Sequence, residues 1–288
     1  MEGAMKRVFA FAINDFQLVR CAVESLRDKC GPLTLDQNGV FGLSYYTRGD
    51  APLLRKGPRD RGASFLDELL EVVPTISLGY FETEAARDFR PQKVAPYRFR
   101  DWSFTMWSNF RSMAVAREKT LPIPVYIRKN LVSGTAEEIF FHLFLAFMHS
   151  SGRLDVDQPP VQDVYHALNA ASSLIRDLTE VVPGNDGATD PRFVALLSNG
   201  RQVFALNSGR PMWFLHQVGI QRCAACETRN RDLNISDDPV QHALARFVLL
   251  TDMQPADEAA WHRIPFDTVL LVRENLEYEL LGAETFHS

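Results

Sequence analysis

The chain has 288 residues, 46% hydrophobic and 23% charged, which are ordinary globular values and length enough for one large domain or two small ones. A formal net charge of -5 and a pI of about 5.8 give no global field that would draw the chain to nucleic acid or anionic lipid. No apolar run approaches the roughly 20 residues a membrane helix needs; the longest, Ile139 to Met148, is broken by His142.

In chain order, the N-terminal patch is too short for a signal-peptide core and lacks a cleavage site, so a cytoplasmic protein is expected. Val8 to Ile13 predicts a buried strand, and Phe16 to Arg27 carries Leu18, Val19, Ala22, Val23 and Leu26 at helical spacing. Gly31-Pro32 then breaks the chain. Val40 to Tyr46 is strand-like, Thr47 to Asp50 a turn, and Pro52 to Arg55 a returning strand. Arg55, Lys56, Arg59 and Arg61 read as a basic, solvated loop offset by Asp60, Asp67 and Glu68. Ser64 to Val72 predicts a short helix capped by Ser64. Thr75 to Phe81 and Arg100 to Trp107 follow as strands. Thr135 is placed to cap a strong helix whose first turn holds Glu137 and Glu138 at the positive end of its dipole. Val161 to Val182 predicts a second long helix, ended by Pro183 to Gly187. Phe193 to Leu197 and Gln202 to Leu206 flank Asn199-Gly200, a dipeptide that suits a type I′ hairpin turn. Phe247 to Thr251 and Thr268 to Val272 are late strands. Strands, then helices, then strands again predict an α+β fold in one domain spanning 1-288.

General catalytic motifs are absent: no phosphate-binding glycine loop, no zinc-protease helix and no nucleophile elbow. Glu137 and Glu138 are adjacent on a helix and diverge by roughly 100°, so a charged first turn is favoured over a catalytic pair. His142 and His149 read as packing or solvated residues, since no carboxylate lies between them at ligand spacing. Four cysteines do not form a disulfide framework in a chain this long. Cys223-x-x-Cys226 is half of a zinc ribbon, with His216 and His242 on either side. Two reduced thiols are the favoured reading there, with a metal site or a redox pair as the alternative.

The order of features resembles the glutaminase domain of class II glutamine amidotransferases, which are N-terminal-nucleophile hydrolases. It covers about Met5 to Leu281. That family opens Met-Cys-Arg before an apolar strand; here the text is Met5-Lys6-Arg7-Val8. Its glycine-rich hairpin corresponds to Asn38 to Tyr46, and its His-x-Arg strand to Tyr80-Phe81-Glu82. Val94 to Tyr97 stands for its THPF segment, Trp102 to Ser108 for the strand ending in Asn-Gly, and Gly134 to Glu138 for its helix start. The hairpin at Asn199-Gly200 and the tail from Thr251 to Pro265 complete the series. The resemblance implies a four-layer αββα sandwich and a cleft built from Lys6, Arg7, Tyr80, Glu82, Met106, Trp107, Ser108, Thr135, Ala136 and Glu137.

It also implies lost chemistry. In the family a processed N-terminal cysteine attacks the glutamine side chain and its own α-amine is the base. Lys6 stands in that place, a mostly protonated amine near neutral pH that forms no thioester, and none of Met1 to Arg7 is Cys, Ser or Thr. The family's oxyanion Asn-Gly becomes Trp107-Ser108, with Trp107 expected to fill the pocket; each lost donor costs on the order of 3 kcal/mol. The arginine for the substrate carboxylate becomes Glu82, the aspartate for its amine becomes Ala136, and family histidines fall on Tyr80, Ala95 and Met106. The expectation is a pseudoenzyme that serves as a binding, regulatory or structural partner, through a heteromer or self-association, with no cofactor. The alternative is a repurposed enzyme or small-molecule binder using Lys6, Tyr80, Glu82 and Glu137, in which Lys6 and Glu82 form an ion pair. A third alternative assigns an active thiol to Cys21 or Cys30.

Overall fold

The computed structural model describes residues 6–30, 33, 38–47, 51–60, 62–83, 89–110, 121–181, 190–220, 223, 226, 239–255 and 258–282. The expected break at Gly31-Pro32, most of the turn after Thr47, Arg61, and the helix stop from Pro183 to Gly187 lie outside these residues.

Strands β1 (Lys6–Ile13), β2 (Gly39–Tyr46), β3 (Leu53–Arg59) and β4 (Ile76–Glu82) join β9 (Trp213–Val218), β10 (Arg246–Thr251) and β11 (His262–Arg263) in a seven-stranded sheet of order β11-β9-β10-β1-β4-β2-β3. Strands β5 (Tyr97–Phe99), β6 (Trp102–Ser108), β7 (Phe193–Ser198), β8 (Val203–Ser208), β12 (Thr268–Val272) and β13 (Tyr278–Leu281) form a six-stranded sheet of order β13-β12-β8-β7-β6-β5. Every pairing is antiparallel.

β1 shows why its apolar run does not alternate with polar residues. Val8, Ala10 and Ala12 face the core between the sheets, while Phe9, Phe11 and Ile13 face a second core outside the seven-stranded sheet. A strand covered on both faces reads as continuously apolar. Helices α1 (Val19–Cys30) and α2 (Phe65–Val72) close that outer core, where the Phe9 and Phe65 rings stack at 4.8 Å. Gly79 leaves room for this ring, since a Cβ there would come within 2.6 Å of Phe65. On the far side, α4 (Ala136–Ser150) and α5 (Val161–Leu178) cover the six-stranded sheet. Phe104 of β6 stacks against Phe140 and Phe141, and the Trp102 ring meets Phe144 edge-on. A one-turn helix α3 (Val125–Arg128) precedes α4, and α6 (Pro239–Leu244) precedes β10. The layers run helix, sheet, sheet, helix: the αββα sandwich.

Several local expectations change. The stretch from Arg55 to Arg59 is not a solvated loop but the rest of edge strand β3, because its backbone pairs with β2 from Gly39 to Tyr45. Its cations are engaged: Arg59 donates to Glu68 at 2.6 Å, Arg55 meets Glu71, and Lys56 reaches the Val94 carbonyl at 2.5 Å. The strand expected from Arg100 to Trp107 starts at Trp102, because Arg100 takes φ 52° and turns the β5–β6 hairpin. Helix α5 ends at Leu178, short of Val182: Thr179 is extended, and Val181 makes a bridge with Phe110. The β7–β8 hairpin stands as expected, but its turn is not type I′, which needs positive φ at both central residues. Only Gly200 has it, at 82°. Asn199 instead folds the loop with its side chain, accepting from the backbone N–H groups of Arg201 and Gln202 at 3.2 and 2.9 Å. Among the described residues no helix is long and apolar enough to cross a membrane.

Candidate functional site

Four element ends converge at one end of the sandwich: the start of β1, the ends of β4 and β6, and the start of α4. β1 and β4 pair with Lys6 directly opposite Glu82, which puts both side chains on the face toward the second sheet. Helix α4 begins there because Thr135 caps it, accepting from the Glu138 N–H at 3.2 Å. That start aims Glu137 inward. Lys6 Nζ lies 3.0 Å from Glu137 Oε1 and 4.0 Å from Glu82 Oε1. The Ser108 hydroxyl donates to the same Glu137 oxygen at 2.8 Å, and Tyr80 donates to Glu82 Oε2 at 3.1 Å. Burial, helped by Glu82 and Glu137, holds the Tyr80 hydroxyl well above its ordinary pKa, so it remains a neutral donor. Tyr97, whose hydroxyl lies 2.9 Å from Thr135 Oγ1, is pushed up by burial and then by Glu137.

The expected Lys6–Glu82 pair is therefore the longer arm of a network centred on Glu137. The side chains of Lys6, Glu82 and Glu137 are 24%, 18% and 11% exposed, so the network touches solvent. Met106 and Ala136 are buried and add no polar group.

Trp107 and Arg7 belong to a second cluster beside the first. The Arg210 guanidinium lies 3.6 Å from the centre of the Trp107 ring and donates to Asp252 at 2.8 and 3.1 Å. Arg7 reaches Asp252 at 3.7 Å, and the Val8 N–H donates to it at 3.0 Å. Trp107, expected to fill the pocket, is half-buried beneath Arg210. Burial pulls the Arg210 pKa down against the opposing pull of Asp252. Sequence reasoning missed Arg210 and Asp252. An acid directly after the apolar run of β10 was the available signal for Asp252; Arg210 gave none.

In the first cluster Glu137 accepts from the Ser108 hydroxyl and pairs with Lys6. Cys30 lies apart from it: the thiol is buried, donates to the Leu26 carbonyl at 2.9 Å, and is pushed up by burial to about 12, far from a reactive thiolate. Of the other sequence candidates, Glu137 and Glu138 diverge to different partners, as a helix dictates. His142 is buried with Nδ1 2.8 Å from the Glu138 carbonyl, and His149 meets the Tyr126 hydroxyl at 2.9 Å, so each has its own local contact.

Cys223 and Cys226 do come together, with His242, which flanks them in sequence, and with Cys21, which the sequence did not group with them. Cys21 of α1 and His242 of α6 join them, and the ligand atoms of all four lie within 4.8 Å of one another. Burial, then the neighbouring thiols of Cys223 and Cys226, push the Cys21 pKa up. His242 flanks the cysteine pair in sequence but at a spacing that matches no familiar zinc finger, since no second histidine follows it at three to five residues. Cys21, at the other end of the chain, gave no spacing signal.

Two antiparallel sheets with helices outside make an α+β sandwich of the N-terminal-nucleophile hydrolase type of fold. Solved structures of class II glutamine amidotransferase domains share it. A glutamine aminotransferase class-II domain protein from Silicibacter pomeroyi is 13% identical, with a TM-score of 0.54 over 96% of this chain and 98% of that one. A predicted glutamine amidotransferase from Pseudomonas aeruginosa is 14% identical, with a TM-score of 0.54 over 96% of this chain and 99% of that one. No protein-family model matches the chain. No curated protein matches it in sequence.

Proposed function

We propose that this chain is a glutamine amidotransferase-like protein that does not hydrolyse glutamine and works by binding, as a regulatory or structural partner of another protein or of a second copy of itself. The observation that carries this reading is the network around Glu137. By the sequence resemblance, Lys6 holds the place of the nucleophilic cysteine and Glu82 that of the carboxylate-binding arginine. Lys6 lies 3.0 Å from Glu137, and that carboxylate also takes the Ser108 hydroxyl. Within this network a substrate carboxylate would meet Glu82 and Glu137, two carboxylates, beside Lys6. The oxyanion donors are replaced by Trp107, held under Arg210, and Ser108, committed to Glu137.

Purified protein incubated with glutamine is expected to release glutamate and ammonia no faster than a protein-free blank. Release above that blank, abolished by substituting Ser108 or Lys6, sinks the proposal. The binding half is tested by light scattering and by affinity purification from the chain's own cells. A monomer that retains no partner rejects it.

A further inference from the structure

We propose that Cys21, Cys223, Cys226 and His242 form a closed zinc site that pins α1 to the segment between β9 and β10. Cys21 Sγ is 3.4 Å from Cys226 Sγ, and Cys226 Sγ is 3.4 Å from His242 Nε2. A tetrahedral zinc with bonds of about 2.3 Å to sulfur and about 2.0 Å to nitrogen sets its ligand atoms roughly 3.5 to 3.8 Å apart. These two spacings lie just short of that range, and all four ligand atoms lie within 4.8 Å of one another, so small side-chain shifts complete the tetrahedron. The sulfur–sulfur spacing is too long for a disulfide, whose sulfurs stand about 2.05 Å apart.

The donor set selects the ion. Three thiolates and an imidazole suit zinc, whereas magnesium and calcium want oxygen ligands. Four protein ligands leave no position for water or substrate, which marks a structural site rather than a catalytic one. Its place agrees. Cys21 and Cys223 are buried in the outer core, across the seven-stranded sheet from Lys6, while Cys226 and His242 are half-buried at the rim. Backbone bonds join the ends of that segment: the Ile220 N–H donates to the His242 carbonyl at 2.9 Å, and the Gly219 N–H to the Ala245 carbonyl at 2.7 Å. Binding would release the three thiol protons to solvent, so affinity rises with pH. The proposal is independent of whether the chain hydrolyses glutamine.

The test uses the full chain, purified without a histidine tag or chelator. Elemental analysis is expected to find one zinc per chain. Exchange for cobalt(II) should give the intense visible bands of a tetrahedral ion and a near-ultraviolet thiolate charge-transfer band. His242→Cys, which keeps four ligands, should retain the metal with a cobalt spectrum shifted toward four sulfurs; His242→Ala should lose tight binding. The cobalt spectrum needs no variant, so a misfolded variant leaves the question decided. Folded protein that carries no zinc and gives no cobalt–thiolate spectrum overturns the proposal. So does a native Cys21–Cys226 disulfide seen by mass spectrometry.

Discussion

Lys56 shows how far a single residue can depart from the solvated cation its sequence neighbourhood predicts. It lies on β3 with its ammonium donating to the carbonyls of Val94 at 2.5 Å and Pro91 at 3.0 Å, and 5.6 Å from the Tyr97 ring centre. Burial lowers its pKa from 10.5 to about 8, with Glu138 opposing and Arg98 adding to the shift. The sign follows from proton counting. Between pH 8 and 10.5 the unfolded chain holds a proton that the folded chain has released, so stability rises with pH across that window. Below it both states are charged and the full cost of burying the ammonium remains. The unfolding free energy of wild type minus that of Lys56→Met is therefore expected to climb over this range in urea titrations; a flat difference refutes the assignment. Site legibility divides along the same line. Lys6, Glu82, Ser108 and Glu137 were reached only through the family resemblance, because each sits in a short segment that aligns with one of that family's motifs. Arg210 and Asp252 were not reached at all, because their meaning comes only from a contact across the sheets, and neither segment alone records it.

Among the elements, α4 carries the most consequence for the site, since its first turn aims Glu137. That turn is fixed by Glu138, which is 3% exposed and reaches back over the preceding loop. Its carboxylate accepts from the N–H groups of Val132, Ser133 and Gly134 at 2.9, 2.6 and 2.9 Å and from the Ser133 hydroxyl at 2.6 Å. Thr135 accepts from the Glu138 N–H while its own N–H donates to Ser133 Oγ at 3.3 Å, so the carboxylate ties down the loop before the cap rather than the cap residue itself. Glu138→Ala strands several part-buried donors and is expected to cost about 1–3 kcal/mol of unfolding free energy, with Glu138→Gln intermediate. A loss under about 0.5 kcal/mol for the alanine variant would show that water replaces the carboxylate. The cap was legible in sequence because Thr135 and the acids lie within one helical turn. Strands β9, β11 and β13 were not, because Trp213–Val218 mixes His216 and Gln217 into its apolar pattern, and the other two are only 2 and 4 residues long. Such edge segments are strands only because a neighbour pairs with them.

At the scale of the whole molecule, the two sheets press an apolar interior between them, and polar contacts bridge it at its two ends. At the Lys6 end, Lys6 meets Glu137, and Arg210, just after β8, meets Asp252, just after β10. At the opposite end Tyr46, the last residue of β2, crosses to the other sheet. Its hydroxyl lies 2.8 Å from the carbonyls of Asp101 and Ser198 and 3.0 Å from the Ser103 hydroxyl, and burial keeps it neutral by raising its pKa. Its ring lies so close to the β7–β8 turn that a Cβ on Gly200 would fall within 2.7 Å of it. At this end one phenol thus ties together two sheets whose shared interior is held by non-directional apolar contact. Tyr46→Phe keeps the ring and removes only the hydroxyl, leaving buried acceptors unpaired at a cost of about 1–3 kcal/mol. Because the ring still fills its space, the fold should persist, so the urea midpoint falls while the slope of the transition stays the same. Far-ultraviolet circular dichroism and tryptophan fluorescence should report that lower midpoint together. Two separated transitions would mean that the sheets unfold independently and that Tyr46 is not what couples them.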